Sequence, residues 1–159
     1  MKQSLLFVLL LFIRFNLYAQ KSGIEFYFVE NFKNLNSDCK YCFELETAKL
    51  NSIPILIEED IESFKWKNQQ IILTEKGKQK FTDIKIPLSG LPIVITLNGR
   101  KVYSLWFWNA VSSFSCDRVF VFPTIDFKIQ FGLPKNYSFG TDPRFDEKLR
   151  EYVVSKYNQ

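Results

Sequence analysis

The stretch IVITLNGRKVYSLWF, residues 93–107, decides the architecture. Asn98-Gly99 stands between two apolar runs. A two-residue type I′ turn needs positive φ at both central positions, which Asn and Gly tolerate best. The segment therefore predicts a β-hairpin with antiparallel arms. Its second arm runs on into RKVYSLWFWNAVSSFSC, residues 100–116. Alternation there separates Val102, Ser104, Trp106 and Trp108 from Tyr103, Leu105 and Phe107. Large aromatics fall in both sets, so either both faces are covered or one is a binding surface. On the first reading these rings are core. On the second, Trp106 and Trp108, with Trp66, are candidate ligand contacts. Ser112, Ser113 and Ser115 read as loop residues that satisfy backbone groups.

Working outward, DRVFVFP (117–123) predicts another short strand. In TDPRFDEKLREYVVSKY (141–157), Asp142-Pro143 suits a helix start, and Phe145, Leu149, Tyr152, Val153 and Tyr157 recur at helical spacing. Towards the N-terminus, IPLSGLP (86–92) is a breaker-rich connection. QQIILT (69–74) reads as a strand, and Thr74 as the N-cap of a short helix over EKGKQKF, weakened by Gly77. EEDIESF (58–64) reads as a short acidic helix, its carboxylates favoured by the helix dipole. FELETAKL (43–50) allows two helical turns, NLNSDCKYC (34–42) is turn-forming, and GIEFYFVENF (23–32) reads as a strand covered on both faces. This order predicts an α+β fold: a mainly antiparallel sheet with short helices packed on one face and a C-terminal helix.

The chain has 159 residues, enough for one domain with a core. Its aromatic fraction of 17% is too high for a disordered chain. The first residues, MKQSLLFVLLLFIRFNLYAQKSG, carry Lys2 before an unbroken apolar run over residues 5–13, and Ala19 offers a small residue before Gln20. These are the marks of a secretory signal peptide over residues 1–19, leaving a single α+β domain over 20–159 and no integral membrane segment after cleavage. A spanning helix needs about 20 apolar residues, and Arg14 and Asn16 interrupt this run. A periplasmic or secreted location in an oxidising compartment is the expectation. Removal of Lys2 and Arg14 leaves 19 basic residues against 17 acidic, scattered without a dense run. That balance gives no electrostatic case for nucleic acid.

The chain has no histidine, which excludes Ser-His-Asp and Cys-His catalysis and every His-ligated metal site. Cys39-x-x-Cys42 is the one redox-like motif. A thioredoxin-type reading makes Cys39 and Cys42 catalytic: a strand precedes them, and GLPIVITLNGRKV (90–102) resembles the Pro-strand-turn of that fold. The spacing opposes it, because a helix after the motif would meet Asn51, Ser52 and Pro54. Asp38 also opposes a stabilised thiolate, although Lys40 favours one. The alternatives are a structural disulfide within the motif, or from one of its cysteines to Cys116. Three cysteines leave one unpaired either way. A zinc site would need Cys116 plus a carboxylate and has no second CxxC, so no metal and no cofactor are expected.

ILIEEDIESFKWKNQQIILTEKGKQKF (55–81), SGLPIVITLNGRKVYSLWFWNAVSSFS (89–115) and TDPRFDEKL (141–149) together resemble a family of exported bacterial proteins without assigned function. The first half is more distantly similar to the periplasmic head subdomain of the protein-export membrane protein SecD. The resemblance spans roughly residues 24–157. It implies a helix over EDIESFKW and brings no catalytic residues. Ile57 stands where the family has a capping Thr, a loss of about 1 kcal/mol at that helix end. The Cys39–Cys42 segment lies outside the family pattern. The functional expectation is an exported, non-catalytic domain with a binding or structural role, its partner a protein or another envelope component. The second expectation is a thiol-disulfide oxidoreductase using Cys39 and Cys42.

Overall fold

Asn98 and Gly99 take φ of 51° and 77°, and the hairpin forms around them: β5 (Leu91–Leu97) pairs antiparallel with β6 (Arg100–Phe107). The structure is a computed structural model that describes residues 23–35 and 38–159; the signal segment expected over residues 1–19 lies outside them. The remaining strands are β1 (Ile24–Asn31), β2 (Lys49–Leu50), β3 (Ile61–Lys65), β4 (Gln70–Leu73), β7 (Cys116–Phe122) and β8 (Asp126–Leu133). The described residues form one eight-stranded sheet in the order β2-β1-β5-β6-β7-β8-β4-β3. Its neighbours are antiparallel except β6 and β7, which run parallel where Trp106 pairs with Phe120 and Phe107 with Val121. The helices are α1 (Glu75–Gln79) and α2 (Glu147–Lys156). The fold is α+β, as the sequence predicts.

Period-two alternation sends the hairpin's side chains to two different cores. Ile93, Ile95, Leu97, Tyr103, Leu105 and Phe107 face one side, where Phe64, Ile71, Phe81, Leu149 and Val153 close over them. Those partners come from β3, β4, the turn that follows α1, and α2. Val94, Trp106, Trp108, Cys116 and Phe120 face the other side, covered by Tyr41, Phe43 and Ala48. A bulge between the Ile95 and Thr96 pairings interrupts the alternation, and Val102 joins the first core rather than the Trp106 side. The aromatic arm is thus buried on both faces. Trp108 is wholly inaccessible. Gly90 makes room for it: a Cβ there would lie 2.7 Å from the indole.

Several local readings need correction. EEDIESF is not a helix: a 3-10 turn over Glu58–Asp60 leads straight into β3. The turn is closed by Asp60, whose carboxylate accepts the Ile57 N–H at 3.0 Å and holds the Lys80 ammonium at 2.5 Å. Ile57 supplies no side-chain cap, and Asp60 satisfies the Ile57 N–H itself, the reciprocal half of a capping arrangement. FELETAKL forms turns and the two residues of β2 instead of helical turns. Thr74 does cap α1, accepting the Gly77 N–H at 3.1 Å. The terminal helix begins later than Asp142-Pro143, which open a 3-10 turn over Pro143–Phe145. Asp146 is the cap of α2, accepting the Leu149 N–H at 2.9 Å.

Candidate functional site

Cys39 and Cys42 are joined in a disulfide, with Cα atoms 5.4 Å apart. They sit in a turn rather than at a helix N-terminus. Both are nearly sealed, at 2% and 7% exposure. The turn is held from below by Asp117, the second residue of β7. Its carboxylate accepts the Lys40 N–H at 2.7 Å and the Tyr41 N–H at 3.1 Å. Asp117 is itself buried, so these two charge-assisted bonds are the strong kind, and losing the carboxylate would leave both N–H groups without this acceptor.

The aromatic bed lies between the turn and the sheet. The Tyr41 ring stands edge-on to Trp106 and Trp108, each 5.0 Å away between centroids. Trp106 Nε1 donates to the Tyr41 carbonyl at 3.0 Å. Further along, Lys101 reaches from β6 and donates to the carbonyls of Leu45, Glu46 and Ala48 at 3.0, 2.7 and 2.8 Å. The loop over residues 38–48 is therefore clamped by an anion at one end and a cation at the other. Both Asp117 and Lys101 escape sequence reasoning. Each lies far from the loop in the chain, and neither sits in a motif.

This arrangement bears on thiol chemistry. Exchange requires an attacking thiolate to approach one sulfur along the S–S axis, and a lowered thiol pKa in the reduced form. The near-complete burial blocks the approach. The Asp117 carboxylate bonded within the turn opposes a thiolate, and no helix dipole offsets it. Cys116, the third cysteine, is free and fully buried; burial pushes its thiol up to about 12, so it stays protonated at neutral pH. It takes no part in the disulfide.

The three tryptophans do not converge. Trp106 and Trp108 lie under the loop and offer a ligand almost no surface. Trp66, in the 3-10 turn Trp66–Asn68 after β3, is half-buried and packs against Phe64 and Phe145. The larger opening lies elsewhere. β4 and β8 meet at one pair, Gln70 with Lys128, and then part. A cleft of about 500 Å³ opens between β4, α1 and the β7–β8 turn. Ile71, Leu73, Phe81 and Phe127 line its apolar part, Lys78, Thr82 and Asp126 its polar part, and Ile125 stands exposed beside it. Sequence reasoning names none of these residues, because they come together only through the β4–β8 pairing. Comparison with family models, curated proteins and solved structures finds no match for the chain.

Proposed function

We propose that this protein is an exported, non-catalytic domain that works by binding in the periplasm or outside the cell, without a cofactor. The observation that carries the reading is the sealed Cys39–Cys42 disulfide, clamped over Trp106 and Trp108 by Asp117. Such a bond stabilises a loop and persists in an oxidising compartment. Chain entropy gives a modest contribution for so short a ring, about 2 kcal/mol. The cleft between β4 and the β7–β8 turn is the place for binding. Its volume is in the range of ligand sites, and exposed Ile125 beside Lys78, Thr82 and Asp126 supplies the apolar and polar contacts. The partner is a protein or another envelope component that inserts an apolar group there. None of the described helices is long and apolar enough to cross a membrane.

Insulin reduction by dithiothreitol, followed by turbidity, tests the non-catalytic claim. The purified mature protein is expected to leave the rate at its uncatalysed value. Clear turnover, abolished by Cys39→Ser, would replace this reading with a thiol-disulfide oxidoreductase. Mass spectrometry of the protein from its native host tests export. The expected mass corresponds to a chain beginning near Gln20, and a full-length chain held in the inner membrane would overturn it.

A further inference from the structure

The open end of the β5–β6 hairpin is flanked by two loops, residues 86–90 before β5 and residues 109–115 between β6 and β7. The loops are tied to one another. Asn109 Nδ2 donates to the Ile86 carbonyl at 2.7 Å, and Ser112 Oγ donates to the Leu88 carbonyl at 2.6 Å. The same two side chains accept the Val111 N–H at 3.0 Å and the Phe114 N–H at 3.2 Å. Each loop is also closed on itself, by bonds from the Gly90 N–H to the Pro87 carbonyl and from the Ser112 N–H to the Asn109 carbonyl. Backbone groups bonded in this way can enter an apolar phase without losing a partner. The side chains left outside are apolar: Leu88 is 50% exposed, Val111 83% and Phe114 47%. The charge around them is of one sign. No acidic residue occurs between Asp83 and Asp117, and Asp117 is buried and committed to the N–H groups of Lys40 and Tyr41. The Lys40 ammonium, on an exposed side chain, lies 5.2 Å from the centre of the Phe114 ring. Exposed Lys85 leads into the first loop.

We propose that this end of the domain is a membrane-docking surface: Leu88, Val111 and Phe114 enter the interface of an anionic phospholipid bilayer, and Lys40 and Lys85 meet its phosphate groups. Two features select a bilayer over a protein. The apolar side chains stand on loops whose backbone is bonded within and between them, so they can sink past the headgroups. Ammonium groups border the patch, which complements negative headgroups over an acyl interior. Asp38 and Asp83 each precede one of these lysines by two residues, so the apolar side chains carry most of the attraction and the lysines bias it towards anionic lipid. The surface is separate from the cleft beside Ile125 and does not depend on that cleft being a binding site.

Flotation tests this, with vesicles of phosphatidylcholine alone and of phosphatidylcholine mixed equally with phosphatidylglycerol. The wild type should rise with the mixed vesicles and far less with the neutral ones. Leu88→Ser combined with Val111→Ser removes two exposed side chains and none of the bonds that hold the loops. It should lower partition onto mixed vesicles about tenfold or more. Lys40→Gln should lower it about fivefold on mixed vesicles and leave the neutral ones unaffected. Ile125→Ser changes an exposed apolar residue at the cleft instead, and should float as the wild type does. Urea midpoints of all these variants should match the wild type, because none of the altered side chains is buried. A wild type that stays in the soluble fraction overturns the proposal and leaves the patch to a protein partner. Undiminished flotation of the double variant also overturns it, as does equal binding to both kinds of vesicle. Loss of flotation in Ile125→Ser would overturn it in favour of the cleft.

Discussion

At Gly99 the backbone stands at φ 77°, where a β-branched side chain is strongly disfavoured. Gly99→Val should therefore cost about 1–3 kcal/mol, read as a lower urea midpoint with an unchanged slope. An unaltered midpoint would mean that the turn contributes nothing to the hairpin. The turn was legible because its requirement is local: two residues with positive φ between two apolar runs. The fate of Trp106 and Trp108 was only half legible. Alternation placed them on one face, but what covers that face comes from residues 38–48. The decisive contacts are made by Asp117 and Lys101, whose side chains look like ordinary surface charges in the sequence. Truncating Trp108 would remove a fully buried ring, a change that typically costs about 3–5 kcal/mol.

Among the elements, β3 shows why a local pattern misleads. Ile61 and Phe64 are both buried and three residues apart, which is helical spacing. They share a face because a register shift between Ile61 and Ser63 breaks the strand's alternation. A bulge in a short strand thus imitates one turn of helix. Phe127, Ile129 and Phe131 alternate along β8, but the pattern begins directly after the turn that ends β7 and has no boundary of its own in the sequence. The terminal helix was legible, but its first residue was not. Pro143 belongs to the 3-10 turn, and Asp146 opens α2. Burial alone would raise the Asp146 carboxyl. The Leu149 N–H and the Arg100 guanidinium, 2.9 Å away, outweigh it and hold the group below its usual range. A lowered native value means that its stabilisation is present above the unfolded pKa and lost as pH falls from about 4 through the native value. Asp146→Ala should lower stability at neutral pH by about 1 kcal/mol. The gap in Tm between variant and wild type should narrow as pH falls below about 4. A gap that persists in acid would assign the effect to packing rather than to the charge.

For the whole molecule, fold class followed from the order of elements, and the sheet order did not. The parallel contact of β6 with β7, and the return of β4 to pair with β8 at one position, depend on distant segments. The cleft exists because of that second pairing, and so it has no signature in the chain. The disulfide, by contrast, had its candidates in plain view. Its structural character rests on what surrounds it: two sulfurs under a loop, Asp117 beneath the turn, and Cys116 enclosed in the same aromatic core. The central claim is that this bond is sealed in the native state. Reduction by dithiothreitol with pulsed alkylation, counted by mass spectrometry across a urea series, tests it directly. A sealed disulfide opens only with the core around it. All three cysteines should then be labelled in a single step whose rate climbs with urea as unfolding does. Prompt labelling of Cys39 and Cys42 at a rate independent of urea, with Cys116 still protected, would contradict the account.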